Sequence, residues 1–313
     1  MPRDGSPNRP AGGAVPLAPM DIGEVANPPF AVLPVPGRVF LVRSERFAAL
    51  APGHELEPYL RLLSQIARAQ HDILDDLPEP VLPSAERLAL ARENTMPAIS
   101  TGQIVLDEGA DRTFDALLAA LARADLADTS RAALETVEKA GTDGRRLMMQ
   151  AVVLDEIPND AIAEHVLAAA AVQVLFTRLA ARLDVATLER VADGACPSCG
   201  GAPVASAIVG WEGAHGTRFC TCSICATQWN VVRIKCLVCG SNDGIAYHAI
   251  EGGSETVMGE TCEACTSYVK MLHQHKDGAL EPIADDVASL ALDLTLTKAG
   301  WTRASLNPFL MGY

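Results

Sequence analysis

CPSCGGAPVASAIVGWEGAHGTRFCTCSICATQWNVVRIKCLVCGSNDGIAYHAIEGGSETVMGETCEAC, residues 196–265, is the stretch whose reading decides the fold. It holds all 9 cysteines of the chain. Eight of them form Cys-x-x-Cys pairs: Cys196/Cys199, Cys222/Cys225, Cys236/Cys239 and Cys262/Cys265. Sliding the sequence by 40 residues superposes the four pairs, with Gly200 on Gly240 and Thr221 on Thr261. The block is therefore a duplicated module, its two copies separated by the ten residues 226–235.

The spacing has a chemical reason. Two cysteines with two residues between them form a knuckle whose sulfurs reach one metal ion, and two knuckles complete a tetrahedral set of four thiolates. Glycine after the second cysteine permits the positive-φ turn that aims backbone N–H groups at sulfur. Modules this small bury little apolar surface, so metal binding should be coupled to their folding. The expected ligands are Cys196, Cys199, Cys222 and Cys225 for one ion, and Cys236, Cys239, Cys262 and Cys265 for the other. Pairing of knuckles across the two units is the alternative, and the equal internal spacings favour one site per unit. Zn(II) and a single rubredoxin-like iron both suit four thiolates. Cys220 stands outside the pairs and reads as a free thiol rather than a redox or exchange ligand.

Outward from this block the pattern becomes helical. Residues 1–40 are rich in proline and glycine and read as an irregular arm, disordered over the first twenty. Residues 41–194 read as an acidic helical domain. Leu56, Leu60, Leu63, Ala67 and Leu74 share one stripe, which Gln70 interrupts. Further helices are expected near 85–95, 111–124, 129–141 and 143–152. A long one follows Pro158 with Asn159 or Asp160 as its cap, its stripe running from Ile162 through Val166, Val172 and Phe176 to Leu183. The metal modules occupy 195–234 and 235–275, with strands expected at Val204–Val209, Trp229–Ile234 and Ile245–Ile250. Residues 276–313 supply a helix from Pro282, with Ile283, Val287, Leu290 and Leu294 facing back towards the helical domain. The fold class is thus α+β: an all-α amino-terminal domain, two tandem rubredoxin-like or zinc-ribbon modules, and a C-terminal helix.

Composition narrows the function. The 313-residue chain is 49% hydrophobic and 20% charged, enough for a packed core, and carries a net charge of -14. Residues 51–194 hold 24 acidic and 13 basic side chains, and residues 196–276 hold six and five. The modules therefore lack the positive footprint that phosphate binding demands, and a nucleic-acid partner is not expected. The longest apolar stretch, Val166–Phe176, is shorter than the ~18–20 residues of a membrane span. The start of the chain shows no apolar signal segment. Membrane insertion is not expected, and a cytoplasmic location is.

Other polar residues read as structural. His165 reads as a satisfied core histidine, and His273 and His275 as solvated. Asp285 and Asp286 fit the dipole of the last helix. Glu55, Glu57, Asp72, Asp75 and Asp76 read as a solvated helix face. No phosphate-cradling loop, G-x-S-x-G or H-E-x-x-H motif occurs, so an enzyme is not expected.

Several segments together resemble one family, the FdhE-type formate dehydrogenase accessory proteins. They are GHELEPYLRLLSQIARAQ (53–70), CPSCGGAPVAS (196–206), CSICATQWNVVRIKCLVCG (222–240), ETCEACTSYVKMLHQHKD (260–277), IADDVASLALD (283–293) and SLNPFL (305–310). The resemblance spans roughly residues 40–313. It implies a cytoplasmic maturation factor, a chaperone-like protein that binds the catalytic subunit of a molybdenum- or tungsten-dependent formate dehydrogenase and is needed for its activity. It further implies two rubredoxin-like centres on the eight paired cysteines, hence iron, with zinc as the alternative. A second reading is an iron redox protein that supplies electrons or redox protection to that partner. Asn230 departs from the family, which commonly has histidine there, and the proline-rich start is also unusual.

Overall fold

The computed structural model describes residues 27–104 and 107–310, so the expectation of disorder over the first twenty residues lies outside the described residues. The described chain enters through β1 (Ala31–Val32) and turns into α1 (Pro36–Leu50). A strand and the first turn of a helix thus fall within the stretch 1–40 expected to be irregular. The buried face of α1 is Phe40, Arg43, Ser44 and Phe47. Two of those four are polar, so no apolar period marks the helix in the sequence.

The helical part continues through α2 (Glu57–Asp72), α3 (Ala85–Glu93), α4 (Thr101–Ile104), α5 (Glu108–Leu121), α6 (Asp128–Lys139) and α7 (Gly141–Leu154) to α8 (Ile162–Ala180). Helices α1, α2, α5, α6 and α7 all pack on α8. The cap of α8 is Ala161, with no side-chain hydrogen bond, rather than Asn159 or Asp160. At 19 residues α8 is long and apolar enough to cross a membrane. It is buried on every side from His165 to Thr177, the pattern of a core helix.

Each cysteine module is a three-stranded antiparallel meander. The first contains β2 (Pro203–Ile208), β3 (Arg218–Cys222) and β4 (Gln228–Val231); the second contains β5 (Ile245–His248), β6 (Val257–Cys262) and β7 (Ser267–Leu272). β2 pairs in parallel with β7, Ser206 opposite Met271 and Ala207 opposite Leu272. The sheet order is therefore β1-β4-β3-β2-β7-β6-β5, and the two modules form one continuous surface. Across this junction Arg218 Nη2 lies 2.7 Å from Glu260 Oε1, both side chains fully buried or nearly so.

The end of the chain differs from the single returning helix read from the sequence. Two helices form, α9 (Pro282–Ala288) and α10 (Leu290–Lys298), broken at Ser289. Ser289 Oγ donates to Asp285 O at 2.6 Å. Helix α9 packs on α1 and β2, whereas α10 packs on β6 and on β8 (Thr302–Arg303), which pairs with β7. Of the face expected to return, Ile283, Val287 and Leu290 join the main core, whereas Leu294 is exposed.

Asp285 and Asp286 do more than complement a helix dipole. Asp285 takes two hydrogen bonds from Arg46 of α1, at 2.9 and 2.6 Å. Asp286 is wholly buried and accepts from Arg303 at 2.6 Å and from Asn307 at 2.8 Å. Lys270 of β7, also 0% exposed, ion-pairs with Asp286 and Asp293, and donates to the Asp286 carbonyl at 2.8 Å. Burial opposes the charge on Asp286, but Lys270 and Arg303 outweigh it and hold the carboxyl below its ordinary value.

Removing one member leaves the others charged and unpaired in a buried site. Lys270→Met should lower the unfolding free energy by about 3–5 kcal/mol. Lys139→Met, which breaks an exposed pair one helical turn from Glu135, should cost under ~0.5 kcal/mol. Urea unfolding of both variants checks the contrast; equal, small losses would contradict it.

Candidate metal centres

The knuckles stand at equivalent places in each module. The first pair lies ahead of the opening strand, and the second spans the turn between the middle and last strands. That turn brings Cys222 and Cys225 against Cys196 and Cys199, and Cys262 and Cys265 against Cys236 and Cys239. Sulfur atoms of each group lie within 4.8 Å of one another, and either group could hold a metal ion. Clustering follows the units, not the cross-unit alternative.

The separations fit one ion per group. In the first, Cys196–Cys225, Cys199–Cys222 and Cys199–Cys225 are each 3.5 Å apart. In the second, Cys236–Cys265 is 3.6 Å and Cys239–Cys262 is 3.7 Å. Four sulfurs about 2.3 Å from a common ion, placed tetrahedrally, would sit about 3.8 Å apart. A disulfide would need about 2.05 Å, and all nine cysteines are free thiols.

Protonation in the first group shows what four clustered thiols cost without a cation. Burial pushes the Cys196 thiol up, but hydrogen bonds from Cys199, Cys222 and Cys225 outweigh it and hold it well below the ordinary value. Those same sulfur contacts and burial drive Cys199 well up, and burial leads the rise of Cys222. A divalent cation would relieve that competition and favour four thiolates. In the second group burial pushes Cys236 up to about 12. Burial also acts against Cys265, yet the hydroxyl and amide of Ser267 outweigh it and bring it to about 7.

The backbone assists. Amides of Ile224 and Cys225 donate to Cys222 Sγ at 3.4 Å, and Val238 N donates to Cys236 Sγ at 3.4 Å. The residue after every knuckle is left-handed: Gly200 at φ +77°, Ala226 at +58°, Gly240 at +74° and Thr266 at +54°. Glycine at 200 and 240 signals this in the sequence, whereas Ala226 and Thr266 adopt the same turn without that signal. Knuckle geometry decides the conformation there, against the local preference of a residue with a Cβ.

Remaining candidates fall into place around the clusters. Cys220 is fully buried in β3, opposite Ser206 and Trp229, outside both groups. Burial pushes its thiol up to about 12. His165 is buried with Nδ1 2.7 Å from Ala161 O, a satisfied core histidine. His273 and His275 are half-buried rather than solvated, their rings 5.3 Å apart. Among the described residues neither ring nitrogen of His273 finds a partner. Asn230 Nδ2 donates to Arg218 O at 3.0 Å, a strand-to-strand contact away from the sulfurs.

Sequence reasoning missed Gln173, which it registers only as an interruption of an apolar stretch. Its Nε2 donates to Ser223 O, inside the Cys222–Cys225 knuckle, at 2.9 Å. Its Oε1 accepts from Arg43 at 3.1 Å and from Gln70 at 3.2 Å. On the other knuckle, Ala98 N and Ile99 N donate to Pro197 O and Ser198 O at 3.4 and 2.8 Å. The first cluster is fastened to the helical domain from two sides.

The two glycine turns differ accordingly. A Cβ on Gly200 would meet Pro97 Cγ at 2.8 Å, whereas one on Gly240 would meet only Lys235 Cε at 3.6 Å. Gly240→Ala should cost about 1–2 kcal/mol for the left-handed backbone alone, and Gly200→Ala more; thermal unfolding ranks them. Iodoacetamide at pH 8 should leave Cys220 unlabelled in the folded chain and label it after denaturation, read by peptide mass spectrometry.

Comparison with known proteins agrees with this architecture. Residues 28–193 match the model "FdhE, N-terminal", residues 195–233 "FdhE, central domain" and residues 234–310 "FdhE, C-terminal domain". A protein FdhE homolog of Rhizobium meliloti (strain 1021) is 42% identical over 94% of this chain and 97% of its own length. Protein FdhE of Salmonella choleraesuis (strain SC-B67) is 30% identical over 87% of this chain and 88% of its own. The crystal structure of the FdhE protein from Pseudomonas aeruginosa superposes with a TM-score of 0.81 at 33% identity, covering 91% of this chain and 99% of that one. With three consecutive family models laid along it and both duplicated cysteine clusters in place, the chain belongs to the FdhE family.

Proposed function

We propose that this chain is a cytoplasmic, non-enzymatic accessory protein of formate dehydrogenase that binds the enzyme's molybdenum- or tungsten-containing catalytic subunit during maturation. Two metal ions serve this role, one on Cys196, Cys199, Cys222 and Cys225, the other on Cys236, Cys239, Cys262 and Cys265. The observation that carries the reading is the pair of four-thiol clusters at tetrahedral spacing in a chain of the FdhE family. Iron is favoured by the rubredoxin-like character of the modules, and zinc fits the same donors.

A redox contribution is the second reading, favoured by the exposure of Cys239 in the second cluster. A single iron held by four thiolates supplies one-electron chemistry, with a potential set by hydrogen bonds to sulfur and by solvent exposure. The amides of Ile224, Cys225 and Val238 donate to cysteine sulfur in the way such tuning requires.

Cys196→Ser and Cys262→Ser should each abolish formate dehydrogenase activity in cells while the catalytic subunit is still synthesised. The wild-type chain should co-purify with that subunit. Normal activity in both variants would overturn the proposal. Metal analysis of protein purified without oxygen separates the two readings. Two irons per chain and a reversibly bleached visible absorption favour redox chemistry; two zincs and a featureless spectrum favour recognition alone.

A further inference from the structure

The duplicated modules share their eight thiols and the glycine after the first knuckle, but they are physically unequal. Within the first module's knuckles Pro197, Ser198, Ser223 and Ile224 are all buried. Of their counterparts 40 residues on, Leu237 is buried, but Val238, Glu263 and Ala264 are exposed. The four sulfur-bearing residues of the first cluster are at most 3% exposed, whereas Cys239 is exposed and Cys265 half-buried. Cys196, Cys199, Cys222 and Cys225 all belong to the main hydrophobic core, together with Phe40 of α1 and Val172 of α8. Part of the second module instead packs on a small separate cluster of Tyr268, Leu292 and Leu296.

We infer that the two centres have divided their work. The first is a permanent fastener between the helical domain and the sheet; the second is an exchange site, from which a soft metal ion can pass to or from thiolate ligands of another molecule while the chain stays folded. The inference rests on the metal reading proposed above for both clusters.

The physical reason is how a tetrathiolate site loses its ion. An incoming thiolate must reach the site, one resident sulfur must leave, and the backbone carrying that sulfur must move. Cys239 satisfies all three conditions. With an ion bound, its sulfur would leave and take a proton from water, the incoming thiolate would take its place, and no electrons would change hands. The turn that carries it has Val238 and Gly240 exposed, and a Cβ at Gly240 would meet only Lys235 Cε, at 3.6 Å. At the first cluster an incoming ligand meets the core. The movement there would break the Gln173–Ser223 and Ile99–Ser198 hydrogen bonds.

The test uses the full-length chain loaded with two zinc ions and challenged with 4-(2-pyridylazo)resorcinol, with far-ultraviolet circular dichroism recorded alongside. One zinc should leave at least about tenfold faster than the other, with the helical signal unchanged; the second should leave only as that signal is lost. Cys239→Ser should remove or speed the fast phase alone. Gln173→Ala, which keeps all eight thiols, should speed the slow phase alone, by about tenfold. Should a variant fail to fold, timed alkylation of the wild-type chain gives the same answer, with Cys236, Cys239, Cys262 and Cys265 modified before the first four. Release of both ions in one phase, or acceleration of the fast phase by Gln173→Ala, would overturn the division of work. A chain that cannot be loaded with two ions would overturn the metal reading itself, and the inference with it.

Discussion

The carboxamide of Gln173 sits where three parts of the chain meet. It is buried in the central helix, receives hydrogen bonds from Arg43 and Gln70, and gives one to the carbonyl of Ser223 between two clustered cysteines. Arg43 continues the chain of contacts to Glu281, whose other oxygen accepts from Ala284 N at the start of α9. A polar group in such a place is costly unless every partner is present. The contacts therefore fix the relative placement of α1, α2, α8, α9 and the first metal module more sharply than apolar packing alone. Core residues around them supply the bulk of the stabilisation, while these hydrogen bonds select one arrangement.

A second buried assembly does the same for the end of the chain. Lys270, Asp286, Asp293 and Arg303 come from β7, α9, α10 and β8, and Tyr268 and Asn307 add hydrogen bonds to the two aspartates. Such an assembly contributes little net stability over an apolar core of the same shape, and it penalises any rearrangement that separates its members. It holds the second module to the terminal helices, just as Gln173 holds the first to the bundle. The Arg218–Glu260 pair then joins one module to the other across the β2–β7 junction.

Duplication gave the two modules the same thiol spacing, but only the first cluster is buried at all four cysteines. β2 and β4 face the rest of the protein through α9 and β1, while β5 ends the sheet on the opposite side from β1. Position, not ligand chemistry, separates the two centres.

Much of this was legible in the sequence, because the signals are local. Cys-x-x-Cys spacing and a 40-residue repeat demand two four-thiol clusters whatever the surrounding fold, and 3.6-residue apolar stripes demand helices. The helix α1 was not legible, since its buried face includes Arg43 and Ser44, polar residues whose partners lie far along the chain at Glu281 and Ser64. The same holds for Asp285 and Asp286, which read as helix-dipole acids until Arg46, Lys270 and Arg303 are brought to them. Left-handed turns at Ala226 and Thr266 likewise have no local signature. By itself, then, the sequence determined which cysteines form knuckles, where most helices run and that the module is repeated. Only the tertiary structure decided which cluster is sealed and which is open, because burial and long-range hydrogen bonding depend on neighbours that sequence spacing does not specify.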